Sequence, residues 1–143
     1  MNTQAMALDS RGRRLAKSVG AVFAGFLTVV VLSLGTDQLL HVLNVYPPWG
    51  QPMFDNGLCF LALSYRVIYT VFANYLTARL APYSPMRHVW ILGGIGTFFG
   101  VMGAVATIPM NLGPAWYPIA IAVTALPCSW LGGMLYRKQQ SAQ

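Results

Sequence analysis

The sequence predicts an all-α protein, a bundle of four transmembrane helices, and three observations carry that reading. Of its 143 residues 56% are apolar and 8% charged, a balance outside that of a soluble domain, which makes lipid the solvent for most of the chain. The 48 residues from Val89 to Tyr136 contain no Asp, Glu, Lys, Arg or His, more than one helix needs to cross a bilayer, so at least two crossings lie there. Basic residues gather in short clusters that separate the apolar runs.

The first span follows Arg11, Arg13, Arg14 and Lys17. This basic run before the apolar stretch Val19 to Leu34 has the outline of a secretory signal. The helical pattern nevertheless continues through Asp37 and His41, and no small-residue cleavage site follows. The stretch reads as a retained span over about 15–43, with Met1 to Ser10 a mixed segment without periodicity ahead of it. Pro47, Pro48 and Pro52 then break the helix, because each removes a donor and biases its predecessor to extended backbone. Tyr46 and Trp49 in that connection suit a headgroup layer.

Asp55 or Asn56 can cap the second span, which runs over about 55–80 and ends before the tight connection Ala81 to Pro85. The third span, about 86–107, carries Gly93, Gly96, Gly100 and Gly103 at intervals of three and four residues. They form a smooth strip containing the GxxxG pair Gly96 and Gly100, where a neighbouring backbone can approach closely. The fourth span, about 118–136, contains Pro127, which frees the Val123 carbonyl and is expected to kink the helix.

Orientation follows from charge. Eight of the nine Lys and Arg lie in the N-terminal segment, the connection after the second span and the C-terminal tail, so both termini are expected in the cytoplasm. The net charge of +6 arises as much from scarce acids, Asp9, Asp37 and Asp55 with no Glu, as from bases. The helix-end basic residues read as topology signals and contacts to anionic headgroups of the lipid bilayer; nucleic acid is not indicated as a partner. The general look resembles small bacterial inner-membrane proteins. No motif sharpens that resemblance into a family.

The two proline-bearing outer connections share Asn-x-x-Pro-x-Trp: Asn44, Pro47, Trp49 and Asn111, Pro114, Trp116. Each follows an outward span and precedes an inward one, which raises the idea of two repeated hairpins. Nothing in the second hairpin matches Asp37, His41 or Arg66.

Arg66 is the residue around which the rest must arrange itself. It lies about 16 Å below the outer end of the second span, at 1.5 Å per residue. A cation that deep costs roughly 2.5–3.5 kcal/mol on insertion scales, so it should face protein and find a partner. Asp37, about 9 Å below the outer end of the first span, is the acid available. Ser33, Asp37, His41 and Asn44 form one stripe, and Asp55, Cys59, Ala62, Arg66, Thr70, Ala73 and Thr77 form another, so two polar or small faces can meet. The expected seam is Asp37, His41, Arg66 and Tyr69, with Tyr65 or Tyr69 bonding into it.

The bland reading is a structural ion pair that fixes helix register. The functional one is a polar cavity open to the outer side, where Arg66 holds a headgroup or small carboxylate, or Asp37 and His41 relay protons. No enzyme constellation, metal site or cofactor is indicated: Cys59 and Cys128 are isolated thiols, and His41 and His88 lie near opposite faces. The preferred reading from sequence is a non-enzymatic membrane module that assembles with itself, as a homo-oligomer, or with a larger membrane partner. A small transporter or channel using the Asp37 and Arg66 seam comes second, and a lipid- or quinone-active enzyme third.

Overall fold

The computed structural model describes residues 2–143. It is all-α: α1 (Thr3–Val42), α2 (Asn56–Leu80), α3 (Pro85–Thr107) and α4 (Trp116–Ser141). All four helices are long and apolar enough to cross a membrane.

The helix starts and stops follow local chemistry. Asp55 caps α2, its Oδ1 accepting from Leu58 N–H at 3.0 Å. Asn44 and Asn111 both take positive φ, 58° and 51°, so the two Asn-x-x-Pro-x-Trp segments begin with the same left-handed turn residue. The helix α4 continues unbroken through Pro127. One expectation is corrected: residues ahead of Ser10 are helical from Thr3 onward. Gln4, Ala5, Met6, Ala7 and Leu8 are strong helix formers with no proline among them, and α1 simply extends through them. The exposed i,i+4 pair of Asp9 and Arg13, 3.5 Å apart, lies on this extension.

Pairs of contacts give the packing directions. On α1 and α2, Gly25 meets Ala73 and Thr77 while Asp37 meets Tyr65 and Arg66, so the two run antiparallel. On α3 and α4, Gly93 meets Ser129 and Gly100 meets Ala122, again antiparallel. The helix α2 runs parallel to α4, with Phe60 on Trp116 at one end and Tyr75 bonded to Gln139 at the other. Among the described residues α1 packs on α2 and α3 and makes no close backbone approach to α4.

The interior is small and polar, the exterior large and apolar. Buried positions include Ala21, Ala62, Ala73, Ala78, Asn74, Thr77 and Ser129, whereas Phe23, Ile68, Phe98 and Val105 are exposed. Close helix approach is built on glycine: a Cβ on Gly132 would strike the Val71 carbonyl and stand 2.7 Å from Asn74 Cβ. At the aromatic end of the bundle the two proline-bearing connections are tied by Met53 N–H donating to the Leu112 carbonyl at 2.7 Å.

Candidate functional site

The site is assembled where α1 and α2 cross below the aromatic end. Ser33 and Asp37 are buried on the inner stripe of α1, and Cys59, Ala62, Ala73 and Thr77 are buried on the facing stripe of α2. This brings the Asp37 carboxylate, whose side chain is 9% exposed, onto two consecutive residues of α2. Its Oδ1 accepts from the Tyr65 hydroxyl and its Oδ2 accepts from Arg66 Nη2. Tyr65 in turn lies 3.2 Å from the hydroxyl of Tyr46, a buried residue of the 43–55 connection. Burial pushes the Tyr46 phenol above its ordinary range, against a smaller opposing effect of its hydrogen bond with Tyr65.

Each residue expected in the seam has a definite place. Asp37 and Arg66 form the pair. His41 stands at its mouth: Nδ1 lies 2.7 Å from the Asp37 main-chain carbonyl, and the ring stacks on Trp49 at 4.0 Å between centroids. Trp49 is itself held by its indole N–H donating to Gln38 Oε1 at 3.1 Å. Tyr69 lies beside the seam, 2.8 Å from Thr36 Oγ1, and it is Tyr65 that reaches the carboxylate. Of the glycine strip, Gly93, Gly96 and Gly100 face α4, against Ser129, Ala125 and Ala122, while Gly103 has open space above it.

Arg66 is incompletely used by its partners. Its side chain is 29% exposed, and its Nε is buried with no hydrogen-bond partner. Three cavities meet at it. One of about 200 Å³ reaches Asp37, His41 and Tyr46 under the 43–55 connection. A second of about 380 Å³ lies between α2, α3 and α4, lined by Cys59, Gly100, Gly103 and Tyr117. A third of about 350 Å³ continues toward the basic end past Thr70, Asn74, Thr124 and Ser129, and Asn74 Oδ1 within it is buried without a partner.

Chemically this is a neutralised ion pair with spare donor capacity, surrounded by mostly apolar walls of a size suited to a small molecule. Cys59 and Cys128 are free and buried, and no cluster of three His, Cys, Asp or Glu able to hold a metal occurs among the described residues. No protein-family model, curated protein or solved structure matches the chain.

Sequence reasoning missed Tyr46, Tyr117 and Asn74. Residue type places Tyr46 in the headgroup layer, yet the connection folds it back onto Ala62 and Tyr65 of α2. Tyr117 enters because α4 begins at Trp116, ahead of the expected start at 118. Asn74 has a usable signal: it sits eight residues after Arg66 and four after Thr70, on the same face of one helix.

Proposed function

We propose that this chain is a non-enzymatic multi-pass protein of the cell membrane, both termini cytoplasmic, whose working part is a binding cavity for a small anion at Arg66. The observation that carries the reading is Arg66 itself, a deep cation that meets three cavities with one nitrogen on Asp37 and its Nε unsatisfied. An arginine inside an apolar helix is retained at a cost, and a register pin needs no open volume around it. Orientation rests on the clustering of Lys and Arg at one end of the bundle.

This reading moves the emphasis away from self-assembly through the glycine strip. Three of its four glycines are already covered by α4 of the same chain. A transport role suits the site better than tight capture, because Asp37 competes with any anion for the guanidinium, and conduction requires a ligand that can leave.

The test is ligand stabilisation of the full chain in lipid nanodiscs. Acetate, benzoate and phosphate are titrated while the unfolding temperature is followed; a ligand at 100 times its Kd stabilises by about 2.7 kcal/mol. The proposal expects at least one carboxylate or phosphate to stabilise the wild type and to lose that effect in Arg66→Leu. Equal response of the two proteins to every anion contradicts it.

A further inference from the structure

Two groups at the site carry full charge, Asp37 and Arg66, and they cancel. The empty cavity is therefore neutral. An anion added alone makes it −1, and a proton on Asp37 added alone makes it +1. Either uncompensated charge is strongly disfavoured in a low-dielectric interior, whereas anion and proton together restore neutrality.

We infer that one proton on Asp37 and one anion at Arg66 bind together, so that the cavity loads and empties as an electroneutral pair. The inference deepens the binding reading above and rests on it. The proton comes from water at the aromatic end, through the cavity that Asp37, His41 and Tyr46 line, and binds a carboxylate oxygen of Asp37. The carboxylate then loses its charge and its hold on Nη2, and the anion's oxygens take the guanidinium in its place. No bond other than O–H is made or broken, and net charge is unchanged from empty to loaded.

The hydroxyls around Asp37 are arranged to accept either state. Tyr65 donates to Oδ1 when the carboxylate is ionised. With Oδ1 protonated, that O–H donates to Tyr65, and Tyr65 turns to donate to Tyr46, 3.2 Å away, where either oxygen can be the donor. Asp37 Oδ1 and the Tyr65 and Tyr46 hydroxyls keep a partner in both states, while Oδ2 gives up Arg66 to the anion.

The remaining titratable groups around the pair are few. They are His41 from α1, Tyr46 from the connection, Cys59 and Tyr65 from α2, and Tyr117 from α4. Lining from α3 near Arg66 is Phe99, Gly100, Gly103 and Thr107, none titratable near neutrality. His41 touches the main-chain carbonyl of Asp37 and not its carboxylate.

The experiment is calorimetric titration of benzoate into the full chain in nanodiscs of neutral lipid, from pH 5 to 8, in buffers of different ionisation enthalpy. Benzoate suits a mostly apolar cavity with one cation and stays ionised over this range. The expected result is uptake of close to one proton per benzoate wherever Asp37 is ionised in the free protein, with affinity falling up to about tenfold per pH unit there. Asp37→Asn should bind benzoate with no proton uptake and a flat pH profile, and Gly94→Leu, on a face with open space, should behave as wild type. Benzoate binding that needs Arg66 but takes up no proton overturns the coupling and leaves the binding site standing. Uptake that persists in Asp37→Asn also overturns it. No benzoate binding at any pH, in wild type or in Asp37→Asn, removes the coupling together with the reading beneath it.

Discussion

Arg66 meets Asp37 through one nitrogen, Nη2 on Oδ2, and its Nε is left buried without a partner. Removing the acid alone strands a cation inside the bundle. Asp37→Leu is expected to destabilise by about 3 kcal/mol, the lower end for a broken buried pair because part of Arg66 stays accessible. Asp37→Leu with Arg66→Leu should recover most of that loss, and Asp37→Arg with Arg66→Asp should fold better than either single change. A double-mutant cycle on unfolding in detergent checks both. A swap no better than the singles contradicts the pairing.

The two tyrosines of α2 separate the site from its surroundings. Tyr65 donates to a carboxylate, and Tyr69 exchanges a bond with the Thr36 hydroxyl. Bonds to charged groups contribute about 1.5–3 kcal/mol and neutral ones about 0.5–1.5. Tyr65→Phe should therefore cost more stability than Tyr69→Phe. Equal losses on the same denaturation curve would mean that the Asp37 contact contributes no more than an ordinary hydroxyl bond.

Glycine positions predict a pattern that tests the packing independently. A side chain at Gly100 meets Ala122 Cα at 2.8 Å, and one at Gly132 meets α2 backbone, whereas Gly94 has nothing within 4 Å. Gly100→Leu and Gly132→Leu should each cost at least the ~1–3 kcal/mol typical of overpacking, and Gly94→Leu almost nothing. The readout is loss of the folded chain itself. Dissociation of an otherwise stable assembly in Gly100→Leu would instead make the strip a surface between copies.

Orientation has its own measurement. With Cys59 and Cys128 replaced by Ala, Gln51→Cys should react with an impermeant maleimide on intact cells, and Gln140→Cys only after permeabilisation. The opposite pattern reverses the topology argued from Lys and Arg.

Much of this fold is legible in the sequence because its signals are local. Apolar runs, paired prolines, the Asp55 cap and the glycine strip each act within a few residues, and the Asp37 and Arg66 pair follows from depth plus scarcity of acids. What escapes is long-range. Tyr46 enters the site because a connection folds inward, held by bonds such as Met53 to Leu112 that no periodicity encodes. Gly25 and Gly132 seat α2 against α1 and α4 much as the strip seats α3 on α4, yet each is the one glycine among Ala and Ser at its helical spacing, Ala21 on α1 and Ala122, Ala125 and Ser129 on α4. The N-terminal helical extension has little apolar pattern to announce it, since nearly all of its residues are exposed.

The most direct test of the central claim is the native mass of the protein extracted with its surrounding lipid, without stripping small adducts. With excess benzoate present, the cavity reading predicts a small anionic adduct in fixed ratio to the wild-type chain, lost in Arg66→Leu and kept in Gly94→Leu. A chain that carries no such adduct and is held instead in fixed ratio to a different polypeptide, unaffected by Arg66→Leu, contradicts it.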